Sequence, residues 1–207
     1  MKNLSVFVLA GGRSSRMGSD KALLPIGRAN LLQIIFDKAR QLVPQPVIVG
    51  SRARYAQYGE VIEDVIPGCG PLSGIHAALS ATQTDQNLIL SVDMPLMTAE
   101  FLLWLLKKTS ASDELVIVPE ADGRVQPLCA VYRRAAYLEV ERALRMGEYK
   151  VDRLFSLLPT RSISESEWLA AGFPRDIFRN VNTPQDYDAV ASMLEETPQT
   201  CGKSLNS

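Results

Sequence analysis

The residues best equipped for chemistry stand in one short segment near the N-terminus, LAGGRSSRMGSDK at positions 9–21. Gly11 and Gly12 lack side chains, so backbone N–H groups there can approach an anion closely. Ser14 and Ser15 add hydroxyl donors, and Arg13, Arg16 and Lys21 place three positive charges within nine residues. The whole chain, by contrast, carries 22 Lys+Arg against 23 Asp+Glu, a formal net charge of -1. No overall positive field draws it to nucleic acid or an anionic membrane, so any affinity for phosphate is local. Two familiar phosphate loops do not fit. The dinucleotide fingerprint needs G-x-G-x-x-G, whereas Gly11 and Gly12 are adjacent. Walker A needs four residues between its glycines and then Lys-Ser/Thr; here five separate Gly12 from Gly18, and Ser19-Asp20-Lys21 follows.

A carboxylate is the second component. Asp93 follows the apolar run NLILSV (87–92) and precedes Met94-Pro95. At the carboxyl end of a central strand it would face the same crevice as the glycine-rich segment. Mg²⁺ is a hard ion commonly held by one or two carboxylates together with phosphate oxygens and water, and Asp93 meets that need. The same residue could instead cap or turn the chain before the next helix. His76 is the single histidine. It follows GPLSG within a helical pattern and reads as a packed or surface residue.

Hydrophobic patterning supplies the scaffold. Residues 5–10 (SVFVLA) form a continuous β-rich run, as in a strand buried on both faces. Leu31, Leu32, Ile35, Phe36, Ala39 and Leu42 recur at helical spacing, so 29–42 is an amphipathic helix. Strands are expected at 47–49, 61–66, 87–92 and 115–118. Helices are expected at 72–81 and around 101–106, the latter capped by Thr98. After Pro119, a turn at 121–124 leads into a returning antiparallel strand at 125–132. Helices at 134–146 and 151–158, a strand at 178–181 and a terminal helix at 186–195 complete the pattern. The rhythm implies an α/β fold: a three-layer, Rossmann-like, mostly parallel sheet with helices on both faces and one antiparallel strand on the acceptor side. One domain is expected over 1–196, with a nucleotide-binding half (about 1–119) and an acceptor-binding half (about 120–196). Residues 197–207 have no periodicity and read as a disordered tail.

Three scattered cysteines (Cys69, Cys129, Cys201) form neither a disulfide framework nor a zinc site. The apolar N-terminal run is too short for a signal peptide and no segment could span a bilayer, so a cytoplasmic location is expected.

With these motifs in place, LAGGRSSRMGSDK closely resembles the signature of molybdenum cofactor guanylyltransferases, within the wider pyrophosphorylase-type nucleotidyltransferases. VIEDV (61–65), GPLSGI (70–75), SVDMP (91–95) and NVNTPQD (180–186) fall in that family's order and spacing. The resemblance implies a nucleotide-diphospho-sugar transferase-like fold and Mg²⁺-dependent transfer of GMP from GTP to Mo-molybdopterin. Arg16, Lys21 and Asp93 would be catalytic, with Asp93 also the metal ligand. The nucleotide would be bound by Leu9, Ala10, Gly11, Gly12, Lys21, Gly50, Asp64, Gly70, Pro71, Gly74 and Asp93. Asp64 could accept from guanine N1–H and N2–H₂ or from ribose hydroxyls. Gly50 stands where enzymes of this family often carry an asparagine. Asn180 and Asn182 alternate in the expected strand, so both would point to one face. As amides they suit a pterin or its phosphate, although Thr183-Pro184 beside them is also a good helix-capping pair. Gln126 is a weaker acceptor-side candidate, and Arg153, Arg175 and Arg179 could help bind an anionic acceptor. Molybdenum-insertion proteins and molybdoenzyme chaperones would be the macromolecular partners. Transfer of CMP to the same pterin, a sugar-phosphate acceptor, or a non-catalytic nucleotide-binding maturation factor are the alternatives.

Overall fold

The computed structural model describes residues 3–11, 20–64, 66, 69–109 and 113–196. The first strand, β1 (Leu4–Leu9), sends Val6 and Val8 into one hydrophobic cluster and Phe7 and Leu9 into another. That alternation is the period of an extended chain, and it places β1 in the middle layer with a core on each side. A 3-10 turn at Lys21–Leu23 and a small hairpin, β2 (Pro25–Ile26) with β3 (Ala29–Asn30), lead into α1 (Leu31–Arg40). The helix starts two residues later than its periodicity suggests, because Asn30 and Gln33 form a reciprocal capping box at its N-terminus. Leu31, Leu32, Ile35, Phe36 and Ala39 are buried along one stripe. Each large side chain among them contributes roughly 1.5–3 kcal/mol by leaving water.

The chain then runs outward through β4 (Val47–Val49), α2 (Arg52–Tyr55) and β5 (Glu60–Ile62). Next come α3 (Pro71–Ala81), β6 (Gln86–Ser91), α4 (Ala99–Thr109), β7 (Val116–Ala121), β8 (Arg124–Val125) and β9 (Cys129–Arg133). α5 (Tyr137–Arg145), α6 (Val151–Leu157), β10 (Thr160–Ile163), α7 (Glu165–Ala170) and α8 (Pro184–Glu196) complete it. The sheet order is β10-β7-β9-β6-β1-β4-β5, with β8 attached to β7. Every pairing of β1 is parallel, and β9 runs antiparallel between β6 and β7. The sheet is therefore mostly parallel with an antiparallel strand in its second half, and helices cover both faces. β1 pairs with β4 on one side and β6 on the other. The chain reverses direction of winding at that point, which opens a crevice beyond the carboxyl ends of β1 and β6.

Several elements differ from the expectation. The strand expected at 61–66 ends at Ile62. The returning strand is interrupted between Val125 and Cys129, where Pro127 cannot donate to a ladder. No strand forms at 178–181; a 3-10 turn occupies Arg175–Phe178, and Val181 N donates to Asp93 O at 2.8 Å instead of to a neighbouring strand. β10 and α7 stand in the polar stretch that carried no apolar signal. Residues 197–207 lie outside the described residues.

Candidate active site

The crevice gathers its polar groups from distant parts of the sequence. β6 ends at Ser91, and Val92 N still reaches Leu9 O at 3.4 Å, so Asp93 emerges directly beside the end of β1. Lys21 opens the 3-10 turn that Asp20 caps, accepting from Ala22 N at 3.1 Å. From there its Nζ lies 3.3 Å from Asp93 Oδ2 and donates to Asn182 Oδ1 at 2.8 Å. The side chains of Lys21 and Asp93 are 17% and 24% exposed, so the pair is sheltered yet open to a ligand. Capping of α4 falls to Thr98, whose Oγ1 accepts from Phe101 N at 3.2 Å. Asp93 is thus at a strand end facing the crevice, rather than employed as a helix cap.

Leu9 and Ala10 are buried, and Gly11 is exposed at the mouth. Gly12 and Arg16 lie outside the described residues. Asp64 is brought to the same edge by the segment after β5. Ser73 Oγ is 3.2 Å from Asp64 Oδ2 and 2.8 Å from Gly70 O, so its single proton serves one of them at a time. Burial raises the pKa of Asp64 above the usual carboxylate range, and the Ser73 hydroxyl acts the other way by stabilising the charged form. Gly74 packs directly on Leu9, where a Cβ would lie 2.8 Å from Leu9 Cδ2. Gly70 holds φ 66° and ψ -153° just before Pro71 at the first turn of α3, a region open essentially to glycine. A Cβ at Gly70 would meet no heavy atom within 4 Å, so the cost of one is conformational alone. Gly70→Ala is expected to lower unfolding free energy by about 1–3 kcal/mol, read by urea denaturation, without a packing change.

The acceptor-side candidates separate. Asn182 joins Lys21, but Asn180 does not share its partner: its Nδ2 donates to Phe178 O at 3.3 Å. The two were expected on one face of a strand, and no strand forms there. Capping by this motif is real as well, since Asp186 N donates to Thr183 Oγ1 and Thr183 N to Asp186 Oδ2. Gln126 turns onto its own hairpin, with Nε2 3.4 Å from both Ala121 O and Arg124 O. Arg153 and Arg175 pair with Glu148 and Glu165. His76 is 4% exposed, and among the described residues neither ring nitrogen has a hydrogen-bond partner. Its ring centroid lies 5.2 Å from that of Tyr137, which makes it a packing residue.

Gly50, expected to contact the nucleotide, directly follows β4, whose Val49 O accepts from Ala10 N at 3.0 Å. Its N–H is occupied by Ile62 O at 2.9 Å, and a Cβ there would come 2.9 Å from Tyr55 Cε2. Sequence reasoning passed over Asp20, Tyr55, Ser73 and Lys38. Lys38 on α1 donates from Nζ to Pro95 O at 2.5 Å, holding the turn that follows Asp93. Burial lowers its pKa to about 8, partly opposed by Glu100. Below about pH 8 the folded chain bears the full cost of this buried charge. As pH rises from there toward the unfolded value near 10.4, the native state releases its proton first and stability rises. Cys129, whose buried thiol is pushed well up, acts in the opposite sense above its unfolded value. The measurement is therefore a difference. Relative to Lys38→Met, wild type should gain on the order of 2 kcal/mol between roughly pH 7.5 and 10 in denaturant unfolding.

Among the described residues no three His, Cys, Asp or Glu side chains gather as a metal site. Asp93 nevertheless fits a hard divalent ion, provided phosphate oxygens and water complete the coordination. An ammonium, a carboxylate and an amide at the switch point of an α/β sheet, beside a glycine-lined edge, make a site suited to the polyphosphate of a nucleotide. The model of the MobA-like NTP transferase domain family matches residues 6–162, and the chain belongs to this family.

The chain is 35% identical over 196 residues to a probable molybdenum cofactor guanylyltransferase of Carboxydothermus hydrogenoformans, covering 94% of this chain and 98% of the relative. A protein of the same description from Pelotomaculum thermopropionicum is 34% identical, over 92% of this chain and 93% of its own. The crystal structure of molybdopterin-guanine dinucleotide biosynthesis protein A from Archaeoglobus fulgidus superposes with a TM-score of 0.82 at 26% identity, covering 93% of this chain and all of that one. A 2-C-methyl-D-erythritol 4-phosphate cytidylyltransferase from Thermus thermophilus shares the fold, with a TM-score of 0.69 over 93% of this chain and 99% of its own, at 17% identity. Among the described residues no helix is long and apolar enough to cross a membrane.

Proposed function

We propose that this chain transfers GMP from GTP to Mo-molybdopterin, forming the guanine dinucleotide cofactor and releasing pyrophosphate. The observation that carries the reading is the meeting of Lys21 Nζ with Asp93 and Asn182, the latter 161 positions away in sequence. An acceptor phosphate oxygen attacks the α-phosphorus of GTP, and the bond to the β-phosphate oxygen breaks as pyrophosphate departs. An acceptor phosphate is largely ionised at neutral pH, which fits a chain whose single histidine, His76, is packed away. The reaction then depends on positioning and on charge stabilisation. Lys21 neutralises charge on the phosphate chain, and the Gly11 backbone faces it. Asp64 accepts from guanine or ribose, next to Gly70 and Gly74. Mg²⁺ held at Asp93 would act as a Lewis acid on the phosphate oxygens. Asn182, bonded to Lys21, would be the group from the acceptor half (120–196) that contacts the pterin or its phosphate, while the nucleotide half (1–119) would hold GTP.

Incubation of the chain with Mg²⁺, GTP and Mo-molybdopterin should yield pyrophosphate and a guanine dinucleotide in equal amounts, identified by mass. Absence of both from a folded preparation would refute the reading.

A further inference from the structure

Tyr55, the last residue of α2, is 2% exposed, yet its hydroxyl ends among three oxygens. It lies 2.9 Å from Ala10 O, at the end of β1, and 3.0 and 2.9 Å from the two carboxylate oxygens of Asp20. A phenol has one proton to donate, so the contact is held together from outside as well. Arg54 Nη1 lies 3.1 Å from Asp20 Oδ2, and Ala22 N donates to Oδ1 at 3.1 Å. Burial, then hydrogen bonding to Asp20, pushes the Tyr55 pKa well up, so the phenol keeps its proton through the neutral range.

The consequence is mechanical. Asp20 caps the turn that begins at Lys21. Tyr55 ties that cap to Ala10, the residue that follows β1, although Ala10 and Asp20 are ten positions apart. Gly50 belongs to the same device. With its ideal Cβ only 2.9 and 3.1 Å from Tyr55 Cε2 and Cδ2, a side chain there would unseat the ring. Gly50 is therefore the seat of the tyrosine.

We propose that Tyr55 and Asp20 are positioning residues that set the place of Lys21 for the phosphate chain of the nucleotide. The proposal rests on the GMP-transfer reading. Neither residue need touch the substrate; they act through the lysine. That distinguishes them from residues that merely stabilise the fold, and it makes their effects non-additive with loss of Lys21.

The test uses Tyr55→Phe, which keeps the ring on Gly50 and removes only the hydroxyl. We expect GTP affinity and kcat/KM for GTP to fall about 10-fold, with the KM for Mo-molybdopterin within about twofold of wild type. In a Lys21→Ala background, the same substitution should change the GTP dissociation constant by less than about twofold. Asp20→Ala serves as the second variant and should behave alike. Unchanged GTP affinity in both variants would overturn the proposal. So would a full additional loss in the Lys21→Ala background, because it would show action independent of the lysine. If wild type bound GTP but released no pyrophosphate, the transfer reading would fail, and the cycle in GTP affinity would still decide whether the anchor acts through Lys21.

Discussion

Replacing Lys21 by alanine should lower kcat for GMP transfer by about 10²–10³-fold while leaving the fold intact, the usual loss when one preorganised charge donor is removed. The magnitude follows from where the ammonium sits. It is already placed at the crevice by Asp93 and Asn182, so little reorganisation is needed when phosphate arrives. Charge developing on the leaving pyrophosphate meets a cation fixed in a sheltered environment, where its field is screened less than in water. Stability should change by no more than about 1 kcal/mol, because the ion pair is partly exposed. Circular dichroism and urea unfolding check that half of the expectation, and pyrophosphate release checks the other. Activity within a few-fold of wild type would remove Lys21 from the chemistry.

Asp93→Asn should be comparably severe and different in kind. The amide keeps the shape of the side chain, and the backbone contact from Val181 N to Asp93 O is untouched by the substitution. What is lost is the negative charge that would hold a divalent ion, and Lewis-acid stabilisation of that kind is worth several kcal/mol, roughly 10²–10⁴-fold in rate. Part of the loss should return as Mg²⁺ is raised, because weakened metal binding is a concentration-dependent defect. Lys21→Ala should show no such recovery. A Mg²⁺ titration of both variants separates the two roles, and identical titrations would mean that Asp93 does not hold the metal.

The elements that position this site were largely legible in the sequence. Residues 5–10, 47–49 and 87–92 are apolar runs bounded by glycine, proline or a polar turn, and each is a strand of the central sheet. β10 was not legible, because an edge strand reading Thr-Arg-Ser-Ile shows only one buried face position. The segment around Phe178–Val181 misled for the opposite reason. Its apolar ends, Phe178 and Val181, suggested a short strand, but Val181 spends its N–H on Asp93, a long-range contact that no local pattern encodes. Asn182 reached the site although the strand that was to aim it does not form, and Asn180 did not. Gly50 shows the same limit. Its sequence position suggested a nucleotide contact through the backbone, and a tyrosine ring that folds onto it from five residues further on adds a packing reason for glycine. Tyr55 stands in RARYAQY, a segment without an apolar run, and its burial comes from tertiary packing.

The most direct measurement of the central claim is the ratio of kcat/KM for GTP to that for CTP, with Mo-molybdopterin as acceptor and Mg²⁺ present. In the guanine-reading mode Asp64 would accept from N1–H and N2–H₂, a pair of donors that cytosine lacks. Sites built on buried hydrogen bonds discriminate by about 10⁴ or more against an analogue that lacks the partner groups, and partly exposed ones by less. Because Asp64 is exposed at the crevice edge, the lower figure applies, and a preference for GTP on the order of 10²-fold is expected. A preference for CTP, or equal use of both triphosphates, would contradict the account.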